Sequence, residues 1–186
     1  MAGGIKAWQG GVASGAPEAG MAHFAAAVTV AEMVALAWGL EEGTRRFYQE
    51  MAARSSDDRD TAALFGRLAE DEVLHKQMLE EAYGDVAGRD ADLTAMVRQL
   101  GPRAAGETIE GGILLEQVLA WAETQGEAGI LEMAMALEVN ALDLYLKMGH
   151  RADNEASRDF FKRLARGEQG HLQRLGERLD GALAKG

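Results

Sequence analysis

One arrangement of residues occurs twice in this chain, about half its length apart. Each copy has an isolated Glu, a Tyr seven residues later, and a Glu-x-x-His pair that begins 30 or 31 residues after the first Glu. The sequence Phe-x-Arg-Leu-Ala precedes both Glu-x-x-His pairs. We therefore predict two halves of similar design that fold against each other. The repeated residues are Glu41, Tyr48, Glu72 and His75 in the first copy and Glu138, Tyr145, Glu168 and His171 in the second.

Helical periodicity and capping signals predict four long helices, of which the second ends at Gly84. Short turns join the first two and the last two, so each pair forms an antiparallel hairpin. A long connection over residues 85–126, with amphipathic stretches near 93–100 and 109–123, links the hairpins. The sequence thus predicts an all-α fold, a four-helix bundle made of two antiparallel helical hairpins with a long crossover. The predicted helices cover residues 28–54, 58–83, 127–150 and 154–183.

The spacing places the repeated residues at one height in the bundle. The midpoint between Glu41 and Glu72 falls in the first turn, and that between Glu138 and Glu168 falls at Asp153 in the second. Residues equidistant from a turn lie side by side, here roughly 20 Å from it at about 1.5 Å per residue. A Glu and a His three residues apart share one helix face. Four carboxylates and two imidazoles are therefore predicted to converge in the core.

This set of groups suits two iron or manganese ions, which prefer carboxylate oxygen and imidazole nitrogen. Four carboxylates nearly neutralise two divalent ions, whereas without metal they would be costly like charges. We predict that Glu72 and Glu168 bridge the ions and that Glu41 and Glu138 are terminal, with Glu42 as the alternative to Glu41. Two iron ions are the expected cofactor, with manganese or zinc as other occupants. A fold that has lost its metal is the alternative. The predicted ligands are Glu41, Glu72, His75, Glu138, Glu168 and His171.

The two tyrosines, Tyr48 and Tyr145, follow the isolated Glu residues by two helical turns. They are predicted to lie above or below the metals and to support catalysis by hydrogen bonding to the site, with a redox role or packing alone as alternatives. Gly167 and Gly170 flank the last ligands inside a predicted helix. They indicate either close helix packing or space for an oxidant beside the metals.

With these motifs the chain resembles the rubrerythrin-type di-iron domain of the ferritin-like superfamily over residues 28–183. The resemblance implies a ferritin-like bundle and an oxidoreductase of the peroxidase or ferroxidase type. Such a protein reduces peroxide or dioxygen in oxidative-stress defence and takes electrons from an external donor. Two features depart from the family: the chain has no cysteine for a rubredoxin-like centre, and Ala141 stands where an extra Glu is usual. The alternatives are a ferroxidase or iron-handling protein and a non-catalytic module fused to a sulfurtransferase.

Residues 1–25 are predicted to be a tail or linker that precedes a ferritin-like di-iron domain over residues 26–186. The segment from Gly3 to Gly10 resembles the C-terminal end of a rhodanese-like domain, although the reactive cysteine of such domains is absent. If this resemblance holds, the chain follows a rhodanese module in a longer fusion.

Composition narrows the range of partners. The net charge of -11 and pI of about 4.8 argue against nucleic acid and anionic membranes. The apolar segment 21–40 contains His23 and Glu32, so we interpret it as a buried or dimer-facing helix and not as a membrane span. We expect a homodimer through the apolar residues 24–34. The lack of cysteine is compatible with the cytoplasm, where we expect the protein to be.

Overall fold

Four long helices dominate the computed structural model, which describes residues 29–101, 105–152 and 154–184. They form two hairpins, each with its helices packed side by side, and the two hairpins pack together. The predicted all-α, ferritin-like bundle is confirmed. The α-helices of the described residues are α1 (Val30–Arg54), α2 (Arg59–Ala87), α3 (Leu93–Gln99), α4 (Leu115–Ala122), α5 (Glu127–Arg151) and α6 (Glu155–Leu183).

Side-chain caps fix where the long helices begin. Thr29 and Glu32 form a reciprocal capping box at the start of α1. The Asp58 side chain accepts hydrogen bonds from the first turn of α2, and Asn154 accepts one from the first turn of α6. The predicted end of α2 at Gly84 is wrong. The helix continues through Gly84 to Ala87, because Gly88, with a φ of 100°, is the glycine that leaves the helical conformation.

The crossover over residues 88–126 is only partly helical. It contains α3 and α4, which lie in the two stretches predicted to be amphipathic. The predicted stretch 109–123, however, does not form one continuous helix, because residues 109–114 precede α4 in another conformation. Instead, β1 (Thr108–Ile109) pairs antiparallel with β2 (Ile113–Leu114) around a 3-10 turn at Glu110–Gly112. The turn requires positive φ at Gly111 (81°) and Gly112 (74°), which ends any helix there.

The crossover packs directly on the backbone of α1. A Cβ atom at Gly43 would overlap the carbonyl oxygen of Thr108 and lie 2.7 Å from its carbonyl carbon. Arg46 Nη1 donates a hydrogen bond to the carbonyl oxygen of Gly106 at 3.0 Å. These contacts hold the 3-10 turn against α1, close to Glu41.

Two apolar clusters fill the bundle on either side of a polar layer. One includes Val34, Leu79 and Leu164, and the other includes Phe47 and Leu175. Along each long helix, the predicted ligands separate residues of one cluster from residues of the other. The polar layer is therefore surrounded by hydrocarbon, where the effective dielectric constant is low.

Some predictions fall outside the described residues. The predicted tail or linker at 1–25 and its rhodanese-like segment lie there, as do residues 24–28 of the predicted dimer contact over residues 24–34. The homodimer stays a prediction. In the described part of the chain, no helix combines the length and apolar character needed to cross a bilayer.

Candidate metal centre

The six predicted ligand residues converge at one height in the core. Each is almost fully buried, since His75 is 5% exposed and the other five are 1% exposed. One potential ligand atom from each of Glu72, His75, Glu168 and His171 can be chosen so that all four lie within 4.8 Å of one another. The residues that the sequence placed together are thus together in the structure.

The two carboxylates of the Glu-x-x-His pairs are shared between the two histidines. His75 Nδ1 lies 3.1 Å from Glu72 Oε2 and 3.1 Å from Glu168 Oε1. His171 Nδ1 lies 3.1 Å from Glu168 Oε2 and 3.4 Å from Glu72 Oε1. Each carboxylate therefore presents one oxygen to each imidazole, which is the arrangement expected of a group that bridges two ions.

The two isolated carboxylates each approach one histidine. Glu41 Oε2 lies 3.7 Å from His75 Nδ1, and Glu138 Oε2 lies 2.9 Å from His171 Nδ1. The cluster thus divides into a Glu41–His75 side and a Glu138–His171 side, with Glu72 and Glu168 between them. The roles predicted from the sequence, bridging for Glu72 and Glu168 and terminal for Glu41 and Glu138, stay predictions.

Glu168 gives the clearest test of whether this cluster suits metal ions. Both of its carboxylate oxygens are buried, and neither has a hydrogen-bond partner among the described residues. The histidine nitrogens lie near enough for an ion pair but not in hydrogen-bond geometry. Burial opposes ionisation of Glu168, but His75 and His171 outweigh it and lower the pKa of Glu168, so the carboxylate is held ionised between the two imidazoles. Its free lone pairs are what two cations would require, so the residues fit a pair of metal ions.

Several carboxyl and imidazole groups of the cluster hold protons that bound cations would displace. Burial and the nearby Glu41 carboxylate raise the pKa of Glu72. Burial also raises the pKa of Glu138 to about 8, although His171 opposes this shift. Burial disfavours the imidazolium of His171, but the Glu138 carboxylate outweighs it and raises the pKa to about 10. Because metal ligands must be deprotonated, binding of cations is coupled to proton release.

The two tyrosines connect the halves of the cluster. The Tyr48 hydroxyl donates to Glu138 Oε1, and the Tyr145 hydroxyl donates to Glu41 Oε1. Both side chains are completely buried. Burial, together with the carboxylate that each contacts, raises the pKa of both phenols well above the usual value, so they stay protonated donors. Each half therefore orients the isolated carboxylate of the other half, while a catalytic role of the tyrosines stays a prediction.

Removal of either phenol hydroxyl is expected to weaken one metal ion selectively. Tyr48→Phe should affect the ion on the Glu138 side and Tyr145→Phe the ion on the Glu41 side, each by about 10- to 100-fold in affinity, as is typical when a partner that orients a ligand is lost. Competition with a chromophoric chelator measures both dissociation constants. Tyr83→Phe, in a buried tyrosine on α2 eight residues beyond His75, is the matched control. Unchanged constants in both site variants would contradict the crossed orientation.

The outer nitrogens of the two histidines have different surroundings, which the sequence reasoning missed. His171 Nε2 lies 3.5 Å from Asp71 Oδ2, and Arg174 binds the same carboxylate oxygen. On the other side, His75 Nε2 faces the backbone of Gly167. Asp71 precedes Glu72, and Gly167 holds the same position before Glu168. A residue-by-residue comparison of the two copies would therefore have shown that the two histidines have different neighbours. A carboxylate therefore lies beside the outer nitrogen of His171, whereas Gly167 offers none to His75.

Glu42, the alternative to Glu41, faces away from the cluster. It lies 2.7 Å from Arg45 Nη2 and 2.6 Å from Lys76 Nζ. Burial opposes ionisation of Glu42, but the hydrogen bonds from Arg45 and Lys76 outweigh it and lower its pKa. Glu42 is thus a paired carboxylate at the edge of the bundle, and Glu41 is the member of the pair that points into the core.

A seventh acidic or imidazole side chain reaches the same region from the crossover and was not predicted. Glu110 lies in the 3-10 turn, is 2% exposed, and interacts electrostatically with Glu41 and Glu168. The second half of the chain has no copy of it, so the internal repeat gave no signal.

Fold and cluster together define a four-helix-bundle protein whose core fits a carboxylate-bridged pair of metal ions. A family model described as rubrerythrin matches residues 32–125, just over half of the chain. The chain therefore belongs to the rubrerythrin family. The matched segment contains Glu41, Glu72 and His75, and Glu110 of the crossover. Searches of curated proteins and of solved structures returned no match.

Proposed function

We propose that this protein is a non-haem di-iron protein that reduces hydrogen peroxide or dioxygen, with electrons from an external donor. The observation that supports this proposal most directly is the sharing of Glu72 and Glu168 between His75 and His171. Carboxylates that can bridge two ions allow both to change oxidation state together. Iron is the proposed metal because it adds redox chemistry to the ligand preferences that it shares with manganese.

The chain's own residues would hold and enclose the iron pair. His75 and Glu41 would bind one ion and His171 and Glu138 the other, and the bound pair would supply the electrons for reduction. Reduction of one hydrogen peroxide molecule to two water molecules consumes two electrons and two protons, and two ferrous ions hold two such electrons. The apolar clusters exclude bulk water from this layer.

The burial of the site favours this reading over iron handling. All six predicted ligands are at most 5% exposed, and apolar side chains lie on both sides of them. Iron in transit would require repeated passage of a hydrated cation through these layers. The enclosed cluster is better suited to ions that stay in place while a small oxidant enters. The cytoplasmic location and the role in oxidative-stress defence are further parts of this proposal.

Anaerobic stopped-flow mixing tests the proposed function. Protein loaded with two Fe(II) per chain should be oxidised by one equivalent of hydrogen peroxide and should consume another equivalent after each re-reduction. Zinc-loaded protein is the redox-inert control. Continuing oxidation of excess Fe(II), with many ions per chain, would instead show iron handling. Absence of a fast reaction with peroxide or dioxygen would indicate a non-catalytic module.

A further inference from the structure

Glu110 lies in the 3-10 turn of the crossover, next to the polar layer. It is 2% exposed, and among the described residues its Oε1 atom is buried without a hydrogen-bond partner. Burial of a carboxyl group without a partner is costly whether or not it is ionised. A residue that lowers the stability of the fold in this way is expected at a functional site.

Backbone contacts place Glu110 beside the isolated carboxylates. Its backbone N–H donates to Thr44 Oγ1 at 3.2 Å, and Thr44 lies one turn after Glu41 on α1. On the other side, a Cβ at Gly111 would lie 2.6 Å from Asn140 Nδ2, and Asn140 lies two residues after Glu138 on α5. The turn is thus wedged between α1 and α5 at the height of the cluster.

The charge environment of Glu110 is that of the cluster. Burial raises its pKa well above the usual value, and the carboxylates of Glu41, Glu168 and Glu138 raise it further, whereas His75 opposes them. Among these neighbours Glu41 has the largest effect. The side chain therefore belongs to the same group of mutually repelling carboxylates, on the side of Glu41.

The isolated carboxylate and the histidine are farther apart on the Glu41–His75 side than on the Glu138–His171 side. Glu41 Oε2 is 3.7 Å from His75 Nδ1, whereas the corresponding distance between Glu138 Oε2 and His171 Nδ1 is 2.9 Å. The less compact side is the one that Glu110 approaches.

We propose that Glu110 supplies a fifth carboxylate to the metal centre, as a ligand of the ion held by Glu41 and His75. This inference rests on the proposed two-metal site. Four carboxylates balance two divalent ions, so a fifth adds negative charge that stabilises the oxidised pair more than the reduced one. Glu110 thereby makes the two metal positions unequal and lowers the reduction potential of the iron pair.

Substitution of Glu110 in cobalt-loaded protein tests the proposal without use of enzymatic activity. Native protein should bind two Co(II) ions per chain. Glu110→Ala and Glu110→Gln should each weaken one of the two ions by at least about 10-fold, leave the other within twofold, and change the visible d–d absorption of the weakened ion. Glu107→Gln, an exposed carboxylate in the same crossover, is the matched control and should bind like the native protein.

Thermal unfolding of the metal-free proteins shows whether the fold is intact. Because Glu110→Ala removes a buried carboxyl group with an unpaired Oε1 atom, its melting temperature should equal or exceed that of the native protein. Equal weakening of both ions in the Glu110 variants would overturn the assignment of Glu110. So would an unchanged cobalt spectrum together with unchanged dissociation constants for both ions. Failure of the native protein itself to bind two ions would overturn the two-metal site, and this outcome is distinct because it is seen without any substitution.

Discussion

Glu168→Gln is expected to remove both metal ions from the protein at concentrations that fully load the native chain. One Glu168 oxygen lies 3.1 Å from His75 Nδ1, and the other lies 3.1 Å from His171 Nδ1. A glutamine keeps the shape but offers one neutral oxygen, so it cannot serve two cations. Loss of a partner that only orients a ligand costs about 10- to 100-fold in affinity, and loss of a shared ligand should cost each ion at least about 100-fold.

A terminal carboxylate provides the comparison that makes this prediction specific. Of the two histidines, Glu138 is paired with His171 alone among the described ion pairs, so Glu138→Gln should weaken one ion and leave the other. Metal analysis after anaerobic loading and gel filtration would count close to zero ions per chain for Glu168→Gln and close to one for Glu138→Gln. Glu177→Gln, in an exposed carboxylate farther along α6, should retain two. One retained ion in Glu168→Gln would contradict the bridging role.

The sequence was sufficient to predict the core of this site because the relevant information is periodic. Residues three apart on a helix share a face, and residues equidistant from a short turn meet across a hairpin. Duplication then supplied two independent copies of the same spacing. Glu41 and Glu138 could be aligned in this way. Glu41 was chosen over Glu42 because Tyr48 follows it by seven residues, the same spacing as from Glu138 to Tyr145.

The crossover could not be predicted in this way because it has no second copy and little periodicity. The stretch 109–123 has the composition of an amphipathic helix, but Gly111 and Gly112 adopt positive φ and form a turn. The position of Glu110 depends on a tertiary contact, the close approach of Thr108 to Gly43, which local sequence does not encode. Gly84 was likewise wrongly predicted as the end of α2, since either Gly84 or Gly88 could have ended that helix.

Gly167→Ala is expected to displace His75 and weaken the metal ion on its side. A Cβ at Gly167 would overlap His75 Nε2 and lie 2.9 Å from Cε1. The ring is the end of a side chain and can move, so the fold should survive. Movement of the ring, however, takes Nδ1 away from Glu72 and Glu168. We expect the affinity for this ion to fall by about 100-fold or more. Loss of a group that only orients a metal ligand costs about 10- to 100-fold, and here the ligand itself is displaced.

Gly170→Ala in the same helix is the matched control. Apart from its own helix backbone, no described residue has a heavy atom within 4 Å of a Cβ at Gly170, so both ions should be retained. Because alanine is the better helix former, Gly170→Ala should also stabilise the metal-free protein by up to about 1 kcal/mol. Chelator competition measures the two affinities, and denaturant unfolding of the metal-free proteins measures stability.

The pair of variants separates the two explanations for these glycines. Selective loss of one ion in Gly167→Ala, with normal binding in Gly170→Ala, would show that Gly167 is required because it accommodates the imidazole of His75. Equal metal binding in both variants would contradict that explanation. The open space at Gly170 leaves it as the candidate for oxidant access, and Gly170→Leu should then slow oxidation of the fully loaded protein without changing its metal content.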